Sequence, residues 1–493
     1  MTTFPDWSDL GNVSPTVRTS WEGEIAIRAE RREYFTGEVF NQKVPTESGL
    51  EEDKVELYPV GINLVKMLCI SQADTLFGEW DEDIVTFEPR RDAEVDESEK
   101  AASRIARDIL NDSQAETLLW ELALDGNIYG GGVMKIAVSA GGVKWTRVPI
   151  DAFFPIWDPE DVDRLLEVYI VYDLTRDQAK ARYGYEAPSG QDLVQRVEHW
   201  TQRTYTNKLD GRPIQAYSGI NPWGFIPFEY VPRIRTTHWW GDSLTEDVQR
   251  AQDELNMRIA DLGEAINYNS HPTRWGYNLP KRFNADNYPL GPNILWDLGR
   301  VLGQSPEPKV GVLETKDPVP RGTFDYIRFL YDWGRTSVGA PPVAFGEDSD
   351  GSQRSGITLE VRMQPLIRAV RRQRSYFSAF LRRAMYKSTV MLVKKDLDRI
   401  PKMGLRRLGD GAVVPRFAPI MPRDQAKLVD EVVKRMSTTP PSISLESAVK
   451  KLGEGTAEAD RVEEMLLNEN LYIREKQGET AGMNSGTGNV PTS

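Results

Sequence analysis

The apolar residues of this chain recur at helical spacing toward both ends and form short runs between turn residues in the middle. The first predicted elements are helices around residues 17–29, 59–77 and 101–110 and a strand over 84–87. A fourth helix is predicted to begin with a capping box of Ser113 and Glu116 and to stop at Asp125 and Gly126. The first quarter of the chain is therefore predicted to be mostly helical.

Short apolar runs replace helical spacing between residues 130 and 231. The runs lie at 133–138, 143–148, 168–172, 194–205 and 225–231. Because turn residues rather than helices separate these runs, we predict antiparallel strands and not a βαβ repeat.

Helical spacing returns in the second half of the chain. A capping box of Ser243 and Glu246, with apolar residues at steps of three and four, predicts a helix of about six turns that ends near Ile266. Residues 271–320 contain eight prolines, which restrict this stretch to short strands and tight turns. A further helix is predicted over 322–339.

The longest predicted helix follows a loop. Residues 340–356 are rich in Pro, Gly, Asp and Ser, which favours a mobile loop, and the helix then covers 357–395 with a kink at Pro365. Its buried side is predicted from Leu366, Val370, Phe377, Leu381, Met385 and Leu392. Beyond residue 399 we predict a turn-rich bridge, helices over 423–437, 445–452 and 457–471, and a disordered tail from Gln477.

Composition excludes several classes of protein. The 493 residues are 40% apolar, which suits roughly two to four domains with real cores. Cys69 is the single cysteine, so an intramolecular disulfide and a CxxC zinc site are impossible. The chain has neither a run of about eighteen apolar residues nor a basic and then apolar leader, so we expect it to be neither membrane-spanning nor exported.

Candidate catalytic residues are few. His199, His238 and His271 have no metal-ligand spacing, and no nucleophile elbow is present. The glycine-rich residues 126–132 lack the G-K-[ST] ending of a phosphate loop, so a helix-to-strand turn that uses glycine at positive φ is preferred. Carboxylates at 158–163 leave open a hydrolase with paired carboxylates, although a solvated acidic loop explains them equally well.

The charge is distributed unevenly. The net charge is −13, yet residues 354–395 contain eleven basic residues and one acidic residue, Glu360, which gives +10 there and −23 elsewhere. A solvated helix face is the simplest interpretation. Because the basic residues occupy more than one side of the helix, we also expect an acidic partner, either a neighbouring subunit or packaged nucleic acid.

The order of these elements resembles the portal proteins of tailed bacteriophages, particularly of the long-tailed group. Residues 121–136 (ELALDGNIYGGGVMKI) resemble the family's wing segment, and 241–256 (GDSLTEDVQRAQDELN) resemble the start of its first stem helix. Residues 355–359 (SGITL) resemble the start of the helix after the tunnel loop, and 421–424 (MPRD) resemble the entry to the crown. The likeness in element order covers residues 59–471.

The resemblance implies an α+β portal fold with an α/β wing, a two-helix stem, a small β-containing clip, a tunnel loop with a long kinked helix, and an α-helical crown. The implied segments are an N-terminal arm (1–58), the wing (59–240), stem helix 1 (241–267), the clip (268–321), stem helix 2 (322–339), the tunnel loop (340–355), the long wing helix (356–399), the crown (400–471) and a tail (472–493).

The implied function is a homo-oligomeric ring, usually a dodecamer, at one capsid vertex. Double-stranded DNA would pass through the ring, and the major capsid protein, the terminase large subunit and head-completion or adaptor proteins would bind it. The ring would be in the host cytoplasm during assembly and then in the virion. The resemblance implies no membrane, cofactor, metal or catalytic residue. The implied sites are tunnel-loop residues Glu347, Asp348, Ser349 and Asp350, interface or DNA-facing Arg371, Arg372, Arg382 and Arg383, and clip residues Lys281 and Arg282. A carbohydrate-active hydrolase or another virion scaffold are the alternatives.

Overall fold

The computed structural model describes thirteen stretches of the chain. They are residues 13–41, 61–77, 84–89, 97–138, 142–236, 239–270, 274–277, 309–312, 321–347, 356–395, 402–409, 411–420 and 425–437. The chain divides into two compact units, residues 1–420 and 421–493.

Helices contribute most of the residues that the structure describes. They are α1 (Pro15–Thr36), α2 (Leu64–Phe77), α3 (Glu97–Asp112), α4 (Ala115–Tyr129), α5 (Arg176–Tyr183), α6 (Leu244–Ser270), α7 (Arg321–Ser337), α8 (Gly356–Lys395), α9 (Lys402–Gly409) and α10 (Gln425–Met436). Of these described helices, α10 alone lies in the second unit. The predicted helices over 445–452 and 457–471 and the predicted tail lie outside the described residues.

The strands are short and pair only antiparallel in the described residues. They are β1 (Val85–Pro89), β2 (Gly131–Val138), β3 (Val143–Val148), β4 (Phe153–Trp157), β5 (Leu165–Thr175), β6 (Leu193–Thr201), β7 (Thr204–Leu209), β8 (Arg212–Pro213), β9 (Gly219–Ile220), β10 (Phe228–Pro232), β11 (Arg274–Tyr277), β12 (Lys309–Val312) and β13 (Val413–Phe417). The antiparallel pairing predicted for residues 130–231 is therefore confirmed.

Four sheets result from this pairing. One sheet has the order β10-β2-β3, and the largest runs β4-β5-β6-β7-β8 with β9 beside β7. The proline-rich stretch contributes a two-stranded sheet of β11 and β12, which agrees with the short strands predicted there. A second two-stranded sheet joins β1 to β13, more than three hundred residues later in the chain. The mixture of helices and antiparallel sheets makes this an α+β protein.

The main hydrophobic core lies between helices and the three-stranded sheet. One face of α8 packs into this core, and all six residues predicted for the buried side of the helix are buried there. Phe377 of α8 meets Phe77 of α2 edge to face, with 5.2 Å between ring centroids. α8 is assigned as one helix of 40 residues although Pro365 lies inside it and has no backbone N–H to donate.

A second core joins α6 and α7 to α2. Leu244, Val248 and Leu255 of α6 and Leu330 of α7 pack against the apolar side of α2. At Gly334 of α7 even a Cβ atom would come within 2.6 Å of the Leu64 side chain, so glycine permits this close approach. The helices predicted over 243–266 and 322–339 are thereby confirmed, with α7 ending at Ser337.

Neither predicted capping box forms completely: a distant partner takes the hydroxyl of Ser113, whereas Ser243 caps α6 but Glu246 does not complete its box. Ser113 Oγ accepts a hydrogen bond from the Trp145 backbone N–H at 2.9 Å, and α4 begins at Ala115 without a side-chain cap. Ser243 Oγ accepts from the Thr245 N–H but donates to two carbonyl oxygens at the end of α4, while Glu246 pairs with Arg31.

Two predicted boundaries also need correction. α4 does not stop at residues 125–126 but continues to Tyr129 and ends at Gly130, whose φ is +100°, so the predicted glycine turn exists and lies four residues later. The stretch beyond residue 399 is not simply a turn-rich bridge, since it contains α9 and β13. Both belong to the first unit, which extends to Ile420.

Candidate functional site: the α7 face, the loop root and the basic helix

α7 presents large aromatic residues to solvent. Phe324, Tyr326, Phe329 and Trp333 are 55%, 43%, 59% and 47% exposed. The rings of Tyr326 and Phe329 stack with centroids 6.4 Å apart. On the neighbouring α6, Met257 and Ile266 are also more than half exposed. We call Tyr326, Phe329 and Trp333, which lie at helical spacing, the α7 aromatic face.

The helical period explains why α7 has this face. Leu330 and Val338 are buried in the core shared with α2 and α6, so Tyr326, Phe329 and Trp333, which lie on another side of the helix, face outward. Monomeric proteins rarely expose several large aromatic residues on one short helix, and such a surface marks an interaction site. The α7 aromatic face is therefore a candidate protein contact surface.

A buried arginine lies where α7 ends and the predicted tunnel loop begins. Arg335 is 2% exposed, and its guanidinium group lies 4.3 Å from the Tyr331 ring and 5.7 Å from the Phe345 ring. Its Nη1 donates to Glu347 Oε1 at 2.8 Å, and its Nη2 donates to Asp332. This arginine thus connects α7 to the short 3-10 turn Pro342–Phe345 and to Glu347 beyond it.

The basic residues of α8 divide into two groups, and the first group has partners in the same chain. Arg383 Nε and Lys387 Nζ pair with the two oxygens of Glu229 on β10 at 3.0 and 2.8 Å, and Arg383 also reaches Asp163. Lys394 donates to backbone carbonyl oxygens of Pro222 and Trp223. These side chains attach α8 to the segments before and within β10.

Arg374 belongs to the same group although it has a different kind of partner. Its Nε donates to the carbonyl oxygen of Leu76 at 2.6 Å, and its Nη1 donates to that of Ala418 at 2.5 Å. Burial lowers the pKa of Arg374 to about 10, which still leaves the group charged at neutral pH. A guanidinium at the last turn of α2 interacts favourably with the negative end of the helix dipole.

The second group is exposed. Arg368, Arg371, Arg372 and Arg382 lie at helical spacing on the outer face of α8, over about 21 Å at 1.5 Å per residue. Within the described residues none of these four forms an ion pair; Arg382 donates only to the Ser378 carbonyl of its own helix. Tyr386, 54% exposed, continues this face.

The predicted site residues therefore have different surroundings. Arg371, Arg372 and Arg382 are exposed, whereas Arg383 is tied to Glu229 and Asp163. Glu347 is tied to Arg335 with its side chain 51% exposed. Asp348, Ser349, Asp350, Lys281 and Arg282 lie outside the described residues.

Sequence reasoning missed Glu229 and Arg335. Glu229 is 3% exposed within the apolar run of β10, and a lone carboxylate in such a run indicates a buried cation partner. Part of the acidic partnership expected for the basic helix is thus supplied within the chain. Arg335 had no comparable signal, because its charge lies on a helix with many polar residues.

No catalytic arrangement appears in the described residues. Burial raises the pKa of the Cys69 thiol to about 12, which keeps it protonated and unreactive at neutral pH. His199 Nε2 lies 2.9 Å from Glu167 Oε2 and its ring stacks on Tyr169, while His238 and His271 are outside the described ranges. In the 158–163 loop, Asp158 pairs with Arg164 and Asp163 with Arg235, so these carboxylates do not converge on a cleft.

In the residue ranges that the structure describes, no group of three or more histidine, cysteine, aspartate or glutamate side chains is placed to hold a metal ion. None of the helices in these ranges has both the length and the apolar composition that crossing a membrane requires.

The exposed aromatic residues of α7 indicate a surface that contacts another protein. The chain matches the family model described as phage portal protein, SPP1 Gp6-like, over residues 85–470 and therefore belongs to that family. The predicted resemblance to tailed-phage portal proteins is thereby confirmed, and this family is structural rather than enzymatic. No curated protein matches the chain.

Proposed function

We propose that this chain forms a closed ring at one capsid vertex and that double-stranded DNA enters and leaves the capsid through the ring. The α7 aromatic face is the observation that supports the ring, because it is too apolar to remain in water and belongs to a helix outside the main core. A ring needs a heterologous contact that closes by rotation, and helices packed side by side around an axis provide one. Twelve subunits is the number we expect.

The segments of the portal fold follow from the element order. We assign the wing to residues 59–240 and 356–399, the stem to 241–267 and 322–339, and the clip to 268–321. The crown would begin at residue 400, after which α9 and β13 still belong to the first compact unit. The major capsid protein would surround the ring, and the clip, with Lys281 and Arg282, would contact terminase and later the adaptor.

The tunnel loop, residues 340–355, would line the bore through Asp348, Ser349 and Asp350. Carboxylates repel phosphates, so a duplex moving past them would meet few attractive contacts that slow it. Arg371, Arg372 and Arg382 would instead face a neighbouring subunit or packaged DNA, because their charge is not balanced by an ion pair in the described residues.

Packaging in infected cells tests this function. In a phage whose own copy of this gene is disrupted, we expect heads without DNA, and full heads once the wild-type chain is supplied. Asp348→Lys with Asp350→Lys should give rings and heads but little packaged DNA, because lysines would bind the phosphates that must slide. Normal DNA-filled heads without the chain would contradict the proposed function; normal packaging by the lysine variant would contradict the role of the loop.

A further inference from the structure

Arg335 has two carboxylate partners of different kinds. Asp332 lies one turn earlier on α7, whereas Glu347 lies beyond the 3-10 turn in the segment that leads into the predicted tunnel loop. The guanidinium group is 2% exposed, but the two carboxylates are 44% and 51% exposed at their side chains. Only the cation is buried, and both anions remain in contact with water.

This asymmetry determines which bond can open. A buried cation that loses its sole partner is strongly unfavourable, and such a contact would be permanent. Here Asp332 stays beside Arg335 because both belong to the same helix, so Glu347 can leave without leaving the guanidinium unpaired. The departing carboxylate is already half hydrated, which lowers the free energy required to release it.

The segment between the two residues reinforces the contact. The ring of Phe345 lies 5.7 Å from the guanidinium group, and the Ala340 N–H donates to the Arg335 carbonyl oxygen at 3.0 Å. Gly339 turns the chain with a φ of +74°, so residues 340–347 fold back along the end of α7. Detaching Glu347 would break its contact with Arg335 but leave the pair of Arg335 with Asp332 inside α7.

We propose that Arg335 is a positioning residue with a reversible bond, which holds residues 340–347 against α7 in one state and releases Glu347 in another while Asp332 keeps its charge neutralised. The proposal rests on the proposed function, in which these residues lead into the tunnel loop. Glu347 would then act as an anchor at the root of the loop rather than as a residue of the bore.

Hydrogen exchange and a double-mutant cycle test this proposal on the full chain. Glu347→Gln should increase amide exchange in peptides covering 341–347 by about tenfold, since a neutral and weaker acceptor replaces the carboxylate partner of Arg335, with melting temperature nearly unchanged. Asp332→Asn should also be mild. The double variant should lose much more thermal stability than the two single variants together, because the buried guanidinium would then have no carboxylate.

Arg258 on α6 provides a matched control. It also pairs with two carboxylates, Glu254 and Asp261, but its side chain is 38% exposed. Glu254→Gln and Asp261→Asn should therefore combine additively. Additive losses at Asp332 and Glu347, or unchanged exchange in Glu347→Gln, would overturn the proposal. Imaging the wild-type chain is independent of this test. A wild-type chain that forms no ring would contradict the proposed function, and the exchange result would still decide whether Glu347 anchors residues 340–347 to α7.

Discussion

Single buried polar side chains join helices that are far apart in the sequence. Gln252 of α6 is fully buried, and its Oε1 accepts hydrogen bonds from the backbone N–H groups of Leu64 and Val65 at 2.6 and 3.2 Å. These N–H groups begin α2 and have no partner within that helix. Asn63 adds a second cap, since its Oδ1 accepts from the Lys66 N–H while its amide donates to carbonyls at the end of α1.

A buried carboxylate on β6 has the same connecting role in the sheets. Glu198 is 3% exposed; its Oε1 pairs with Lys135 of β2 at 2.5 Å and its Oε2 with Arg196 at 2.9 Å. Burial by itself would raise the pKa of Glu198, but Lys135 and Arg196 more than offset this, so the pKa is lowered. The ionised form is therefore the one that stabilises the contact between the two sheets.

Glu198→Gln should lower the free energy of unfolding at pH 7 by about 2 kcal/mol, because two charge-assisted hydrogen bonds are weakened. Since the folded pKa is depressed, this contribution is complete above the unfolded pKa and disappears as the pH falls through the folded pKa. Urea unfolding followed by tryptophan fluorescence should thus separate wild type and variant most at pH 7 and progressively less as the pH is lowered below about 4. Glu160→Gln, on an exposed loop, is the control; an equal effect there would contradict the assignment.

At the scale of elements, the spacing of apolar residues predicted the helices, whose buried sides depend on residues close together in the sequence. The stripes of α6, α7 and α8 are set by side chains three and four residues apart, so these helices were predictable from sequence. The pairing of β1 with β13 was not, because its partner strand lies more than three hundred residues away. Ser113 was misassigned for the same reason, since its hydroxyl accepts from Trp145, more than thirty positions away, and Glu246 fails to complete the box at Ser243 because it pairs with Arg31.

The α7 aromatic face gives a prediction at this scale. Phe329→Glu with Trp333→Glu should abolish assembly of the oligomeric ring, because two carboxylates would replace aromatic side chains that we expect to be buried between subunits. The fold should survive, since both side chains are about half exposed in the single chain. Mass photometry would show loss of the ring, and circular dichroism would show retained helix.

The matched control for that experiment lies in the large sheet. Leu193 and Ile220 are 50% and 82% exposed there. Leu193→Glu with Ile220→Glu makes the same chemical change away from α7 and should leave the ring intact. Rings that persist with both α7 substitutions would mean that the stem helices do not form the contact.

At the scale of the whole molecule, the positive charge is concentrated on one helix, so the acidic net charge does not exclude DNA as a partner. The net charge of −13 combines a strongly basic α8 with an acidic remainder. Four of the α8 cations are used within the chain, on Glu229, Asp163 and backbone carbonyls, and the outer arginines remain available. Sequence alone gave the charge of α8 but could not divide it, because Glu229 and the carbonyl partners come from other elements.

Electron microscopy of the purified full-length chain tests the central claim most directly. A protein that conducts DNA must enclose a hole wide enough for a duplex, so particles should appear in end view as closed rings with a central channel, and two-dimensional averages should show about twelve-fold symmetry. A compact monomer without a channel, at the concentrations where assembly is expected, would contradict the account.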